Sequence, residues 1–160
     1  MIFFMNNKKG FLLAEETLKI VVAIICIIFL IYLLGAIYSS NVSSRKMGEA
    51  TETLSRMNSI ISSLEEGESE SQDILDPTGW HLYSFVEGEK PNSCLNNNCL
   101  CICDNSLLTS QLKKCDDKGV CLEVENLEGP GIDLEIGSDK DFLFVEIKKQ
   151  DEKIFIKKIK

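Results

Sequence analysis

The sequence predicts an α+β protein: a long N-terminal helix, membrane-spanning and then amphipathic, packed on a small disulfide-rich antiparallel β-sheet head. Three observations predict it. From Ile20 to Tyr38 nineteen residues run without a charge, and at about 1.5 Å rise per residue they span roughly 28 Å, close to the roughly 30 Å hydrocarbon core of a bilayer. Beyond them Met47, Ala50, Leu54, Met57, Ile61 and Leu64 step by threes and fours, which keeps one apolar stripe on one helix face. Six of the seven cysteines then fall between Cys94 and Cys121, among short runs rich in β-branched and aromatic residues. That is the composition of a small sheet domain stapled by disulfides.

Taken in order, residues 1–10 end in Lys8-Lys9-Gly10. Residues 11–66 read as one helix, spanning over 20–38 and amphipathic over 42–64, because no proline occurs before Pro77 to interrupt it. Gly48 costs that helix about 1 kcal/mol relative to alanine. The acidic run from Glu65 to Gln72 has the composition of a solvated connection, so 67–76 is expected to be a linker. Residues 77–160 make the head. Asp76-Pro77-Thr78-Gly79 signals a turn, and Trp80 to Val86, the Cys-Leu-Cys-Ile-Cys run, Val120 to Val124, Ile132 to Ile136, Phe142 to Ile147 and Ile154 to Ile159 read as five or six strands. Lys149-Gln150-Asp151-Glu152-Lys153 is short and polar enough to close the last two into a hairpin.

Charge and cysteine usage bound the function. After Ser39 the chain carries 14 Lys and Arg against 23 Asp and Glu, a balance of −9. Such a surface repels phosphate backbones, so nucleic acid is not an expected partner. Cys26 lies in the apolar stretch and behaves there as a small hydrophobe. The even set Cys94, Cys99, Cys101, Cys103, Cys115 and Cys121 reads as a disulfide framework in an oxidising compartment, which places the head outside and the N-terminus in the cytoplasm. In a strand, Cys99, Cys101 and Cys103 share one face, and neighbours about 6.6 Å apart with parallel side chains do not bond to each other. If each pairs with one of Cys94, Cys115 and Cys121, six pairings remain; a Cys115 to Cys121 staple is the alternative.

Enzymatic and metal readings find little in the sequence. There is no C-x-x-C knuckle and one histidine, His81, with no acid or nucleophile near it in sequence; zinc, iron-sulfur and thiol-redox sites want those short spacings. Asp116-Asp117 and the Glu123, Glu125 pair lack calcium-loop spacing and read as solvated faces. No cofactor is expected. Asn41-Val42-Ser43 is a glycosylation sequon, which makes Asn41 a candidate acceptor just beyond the span.

The entry to the apolar stretch is its distinctive part. Two lysines and a glycine, Lys8-Lys9-Gly10, precede Phe11-Leu12-Leu13-Ala14, and then come Glu15 and Glu16, with Lys19 one turn further on. Carboxylates at membrane depth are costly and call for a partner. This arrangement resembles the N-terminus of type IV prepilins, including archaeal pilins with a class III signal peptide. The resemblance covers about residues 8–38. It implies that residues 1–10 are a prepilin leader, that a membrane prepilin peptidase cuts between Gly10 and Phe11, that Phe11 becomes the first residue, and that Glu15 falls fifth. It further implies that Glu15, with Glu16 beside it, neutralises the amine of a neighbouring copy as subunits leave the membrane, pass the pilus assembly platform and stack into an extracellular filament. An uncleaved single-pass surface protein, an adhesin or receptor displaying the same stapled head, is the alternative from a different class; a membrane-tethered thiol enzyme or metal protein is a third.

Overall fold

The computed structural model describes residues 8–94, 97–104, 111–137 and 142–159, with side chains from Glu16 onward except at positions 111, 113 and 114. The first seven residues of the expected leader therefore lie outside the described residues. Two compact units are present, Met1–Ser43 and Ser44–Lys160. A single helix, α1 (Lys8–Ser63), supplies the described part of the first unit and the opening element of the second.

After α1 the second unit contains, among the described residues, β1 (Ser69–Ile74), β2 (Trp80–Phe85), a 3-10 turn at Asn92–Cys94, β3 (Cys99–Asp104), α2 (Gln111–Asp117), β4 (Gly119–Glu123), β5 (Leu127–Glu128), β6 (Asp133–Glu135), β7 (Leu143–Gln150) and β8 (Lys153–Ile159). The strands form two four-stranded sheets, ordered β1-β7-β8-β5 and β4-β3-β2-β6. The α+β class is as the sequence predicts. Three details differ. The expected linker over 67–76 contains β1, which pairs antiparallel with β7 from Ser69 opposite Lys148 to Ile74 opposite Leu143. Eight strands replace the expected five or six, and the sheet is not wholly antiparallel, because β5 runs parallel to β8. A serine-rich acidic strand is tolerable at a sheet edge, where charge discourages pairing with other chains; only Gln72 and Ile74 of β1 turn inward.

The amphipathic stripe is used as its spacing predicts. Ala50, Leu54, Met57 and Leu64 are buried, with Met47, Ile60 and Ile61 packed beside them. They meet Leu143, Val145 and Ile147 of β7, Ile154 and Ile156 of β8, Trp80 and Leu82 of β2, and Leu100 and Ile102 of β3 in one apolar cluster. Each large aliphatic side chain so buried contributes about 1.5–3 kcal/mol. The helix ends at Ser63; Leu64 still donates to the Ile60 carbonyl at 3.0 Å, and Lys149 Nζ donates to the Leu64 carbonyl at 3.1 Å. A cation there satisfies a carbonyl that the ended helix leaves open.

β7 and β8 form the expected hairpin, with Gln150 opposite Lys153. Asp151 and Glu152 between them take left-handed φ values of 55° and 61°, which suits a two-residue turn matched to strand twist. Neither residue is a glycine or asparagine, so the conformation needs support from elsewhere. The Glu66 carboxylate, just past the helix end, provides it by accepting the Asp151 and Glu152 N–H groups, the latter at 3.1 Å.

Candidate functional site

Two surfaces carry the chemistry that the sequence singles out. The first is the part of α1 in the first unit. Every large apolar side chain from Leu18 to Tyr38 is exposed, from 38% at Leu33 to 72% at Tyr32 and Tyr38. It is the one helix among the described residues long and apolar enough to cross a membrane. Single exposed leucines are ordinary, but a continuous exposed surface of this length belongs in lipid or against other apolar helices. Gly10, Phe11 and Glu15 lie within α1, with their side chains outside the described ones. Glu16 and Lys19 are exposed on the same helix. Asn41 is exposed in α1 as well, so its sequon is helical in this conformation. Cys26 is exposed and free.

The second surface is the outer face of β2, β3 and β4. Alternation along β3 divides it as the sequence predicts: Leu100 and Ile102 join the main core, while Cys99, Cys101 and Cys103 join a separate cluster with Tyr83, Cys94 and Cys115. The bridges are Cys94–Cys99, Cys101–Cys121 and Cys103–Cys115, with Cα separations of 5.9, 4.1 and 5.0 Å. This is one of the six pairings left open by strand geometry, and the Cys115 to Cys121 staple is absent. Each bridge has a local reason. The 3-10 turn brings Cys94 back over β3, Cys101 and Cys121 stand directly opposite across the β3–β4 ladder, and α2 carries Cys115 over Cys103. The Asp116 carboxylate fixes α2 to the 3-10 turn by accepting from Asn92 N at 2.7 Å and Asn92 Nδ2 at 2.9 Å.

Sulfur atoms of Cys94, Cys99 and Cys101, and of Cys101, Cys103 and Cys115, lie within 4.8 Å of one another. That spacing would suit an ion, yet each of these sulfurs is committed to a disulfide and offers no thiolate. Metal ligation requires the deprotonated thiol. One member of each acidic pair is likewise engaged in structure: Asp116 as above, and Glu123 accepting from Asn97 Nδ2 at 2.9 Å.

Gly119 is where the staples leave least room. A methyl group added there would meet Cys103 Sγ at 2.8 Å, the Cys115 carbonyl oxygen at 2.8 Å and Cys115 Cα at 2.9 Å. Two of those atoms are backbone, so the chain itself must move. Gly119→Ala is expected to cost about 1–3 kcal/mol, as overpacking does. The measurement is a denaturant midpoint that falls at unchanged slope. Gly48→Ala, where an added methyl meets nothing within 4 Å, is the control, expected to be neutral or stabilising.

One pairing escapes sequence reasoning. His81 Nδ1 lies 2.6 Å from Asp133 Oδ1, although 52 residues separate them. Its signal is the β2–β6 register, which sets Tyr83 opposite Asp133 and His81 two residues along, a diagonal that pattern alone does not supply. His81 stacks on Tyr83 with centroids 5.7 Å apart, and Tyr83 lies 6.0 Å from Phe85, giving an aromatic row on β2 alongside the cysteines of β3, with Tyr83 opposite Cys101. The Tyr83 hydroxyl is pushed up to about 12, first by burial and then by the negative charge of Asp133.

No protein-family model, curated protein or solved structure matches this chain.

Proposed function

We propose that this protein is a pilin-like structural subunit, made as a precursor, inserted with its head outside, cut by prepilin peptidase between Gly10 and Phe11, and packed through its apolar helix into an extracellular filament. The observation that carries the reading is the exposed apolar run of α1 from Leu18 to Tyr38, preceded by Lys8-Lys9-Gly10-Phe11 and the Glu15, Glu16 pair. Lateral packing of that run against copies of itself supplies cohesion, since burial of each large aliphatic or aromatic side chain is worth about 1.5–3 kcal/mol when water is the alternative. In lipid the alternative is equally apolar, so the charges decide register. Glu15 paired with the freed amine of a neighbouring Phe11 fits that role. The head, acidic and held by three disulfides, is suited to the medium.

Mass spectrometry of the protein isolated from its own cells tests the processing step. The expected mature chain begins at Phe11, with or without a methyl group on its amine. A chain that retains Met1 would instead identify the surface anchor, with the same head displayed singly.

A further inference from the structure

The disulfide cluster is graded in accessibility. Cys94, Cys99, Cys101 and Cys103 are fully buried and Cys115 is 1% exposed, whereas Cys121, on the edge strand β4, is half-buried. Its sulfur accepts a hydrogen bond from Ser93 Oγ at 3.3 Å. Behind it, Cys101 Sγ lies 3.7 Å from Cys94 Sγ and 3.8 Å from Cys99 Sγ, so the inner end of one bridge touches both sulfurs of the next.

We propose that Cys121 is a site of covalent modification by low-molecular-weight thiols, and that its modification is relayed inward to the Cys94–Cys99 bridge. A thiolate attacks Cys121 Sγ; the Cys121–Cys101 bond breaks, a mixed disulfide forms on Cys121, and the electron pair leaves on Cys101. In the bridged state Cys101 Sγ sits broadside to the Cys94–Cys99 bond, nearly equidistant from its two sulfurs; released from Cys121, it turns about its Cα–Cβ bond and attacks Cys94 Sγ in line with the Cys94–Cys99 bond. The Cys94–Cys99 bond breaks, a Cys94–Cys101 bond forms, and Cys99 leaves as the thiolate, taking up the proton that the incoming thiol gave up. Three disulfides exist before and after, so no oxidant or reductant is needed, and both steps are ordinary thiol–disulfide exchange. Attack on Cys99 instead is disfavoured because Cys99 and Cys101 are two apart on one strand, at the geometric limit for a bridge. Buried Cys103–Cys115 stays out of the sequence and holds α2 in place.

The test uses the full chain in detergent with Cys26→Ala to remove the exposed free thiol. In Cys121→Ser no external thiol is needed, because Cys101 is left free beside the Cys94–Cys99 bridge. After acid quenching and alkylation, peptide mapping is expected to find a Cys94–Cys101 bridge with alkylated Cys99. A map with Cys101 alone alkylated and Cys94–Cys99 as its only partner bridge overturns the relay. Should that variant fail to fold, the chain with native Cys121 is treated with 2-mercaptoethanol at mildly alkaline pH. The adduct is expected on Cys121 with Cys99 alkylated. An adduct elsewhere, no adduct, or joint alkylation of Cys101 and Cys121 over an intact Cys94–Cys99 bridge defeats the proposal.

Discussion

Glu15→Ala is expected to abolish filaments while the precursor still enters the membrane and is still cut after Gly10. The expectation follows from the proposed role: two unit charges about 4 Å apart at an effective dielectric near 20 attract by about 4 kcal/mol. Removing the carboxylate also leaves the amine of Phe11 unpaired among apolar helices, which is costly in its own right. Insertion depends on the uncharged run from Ile20 to Tyr38, which the substitution does not touch. Glu15→Gln keeps the shape without the charge and is expected to fail in the same way. The readout is electron microscopy of sheared cell surfaces beside immunoblots of the membrane fraction. Normal filaments from either variant would remove Glu15 from assembly.

A second large effect is expected from cutting the chain at two nearby places. A fragment beginning at Ser44 keeps Ala50, Leu54 and Met57, all buried in the core of the second unit. It loses the exposed apolar run and is expected to be a soluble, cooperatively folding monomer under oxidising conditions. A fragment beginning at Glu65 loses those same three side chains and Leu64. Losing Leu54, Met57 and Leu64 at about 2–5 kcal/mol each is comparable to the whole of the roughly 5–15 kcal/mol by which domains of this size are stable. That fragment is expected to aggregate or to show no cooperative transition by circular dichroism. If both fragments behave alike, the stripe from Met47 to Leu64 is not the structural core it is described to be.

Strong periodic signals were readable in the sequence and weak ones were not. The nineteen uncharged residues and the stripe at steps of three and four each repeat one physical rule over many positions, and α1 follows both. The alternation Cys99-Leu100-Cys101-Ile102-Cys103 separated two faces correctly because a strand has period two. Selection among six pairings was out of reach, since it depends on where the 3-10 turn and α2 return over the sheet. β1 has the composition of a linker because its residues are polar at an edge; its partner β7 comes some seventy-five residues later, so no local pattern announces it. The parallel β5–β8 pair, two residues on each side, is too short to leave a sequence trace. The His81 and Asp133 contact arose from register alone. At the N-terminal end a motif alone singles out Gly10, Phe11 and Glu15, whereas the role of Glu66 in bracing the distant hairpin turn leaves no local trace in an acidic run.

The order of strands sets a timetable for a chain that emerges N-terminus first. All six head cysteines and every strand of the β4-β3-β2-β6 sheet lie at or before Glu135. The other sheet waits for β7 and β8, and β1 has no ladder partner until Leu143 to Lys148 emerge. Oxidation can thus finish on a half-built head, since nearby segments find one another sooner than distant ones. The last residues to arrive complete the sheet that packs on the face of β2 and β3 turned away from cross-links already made.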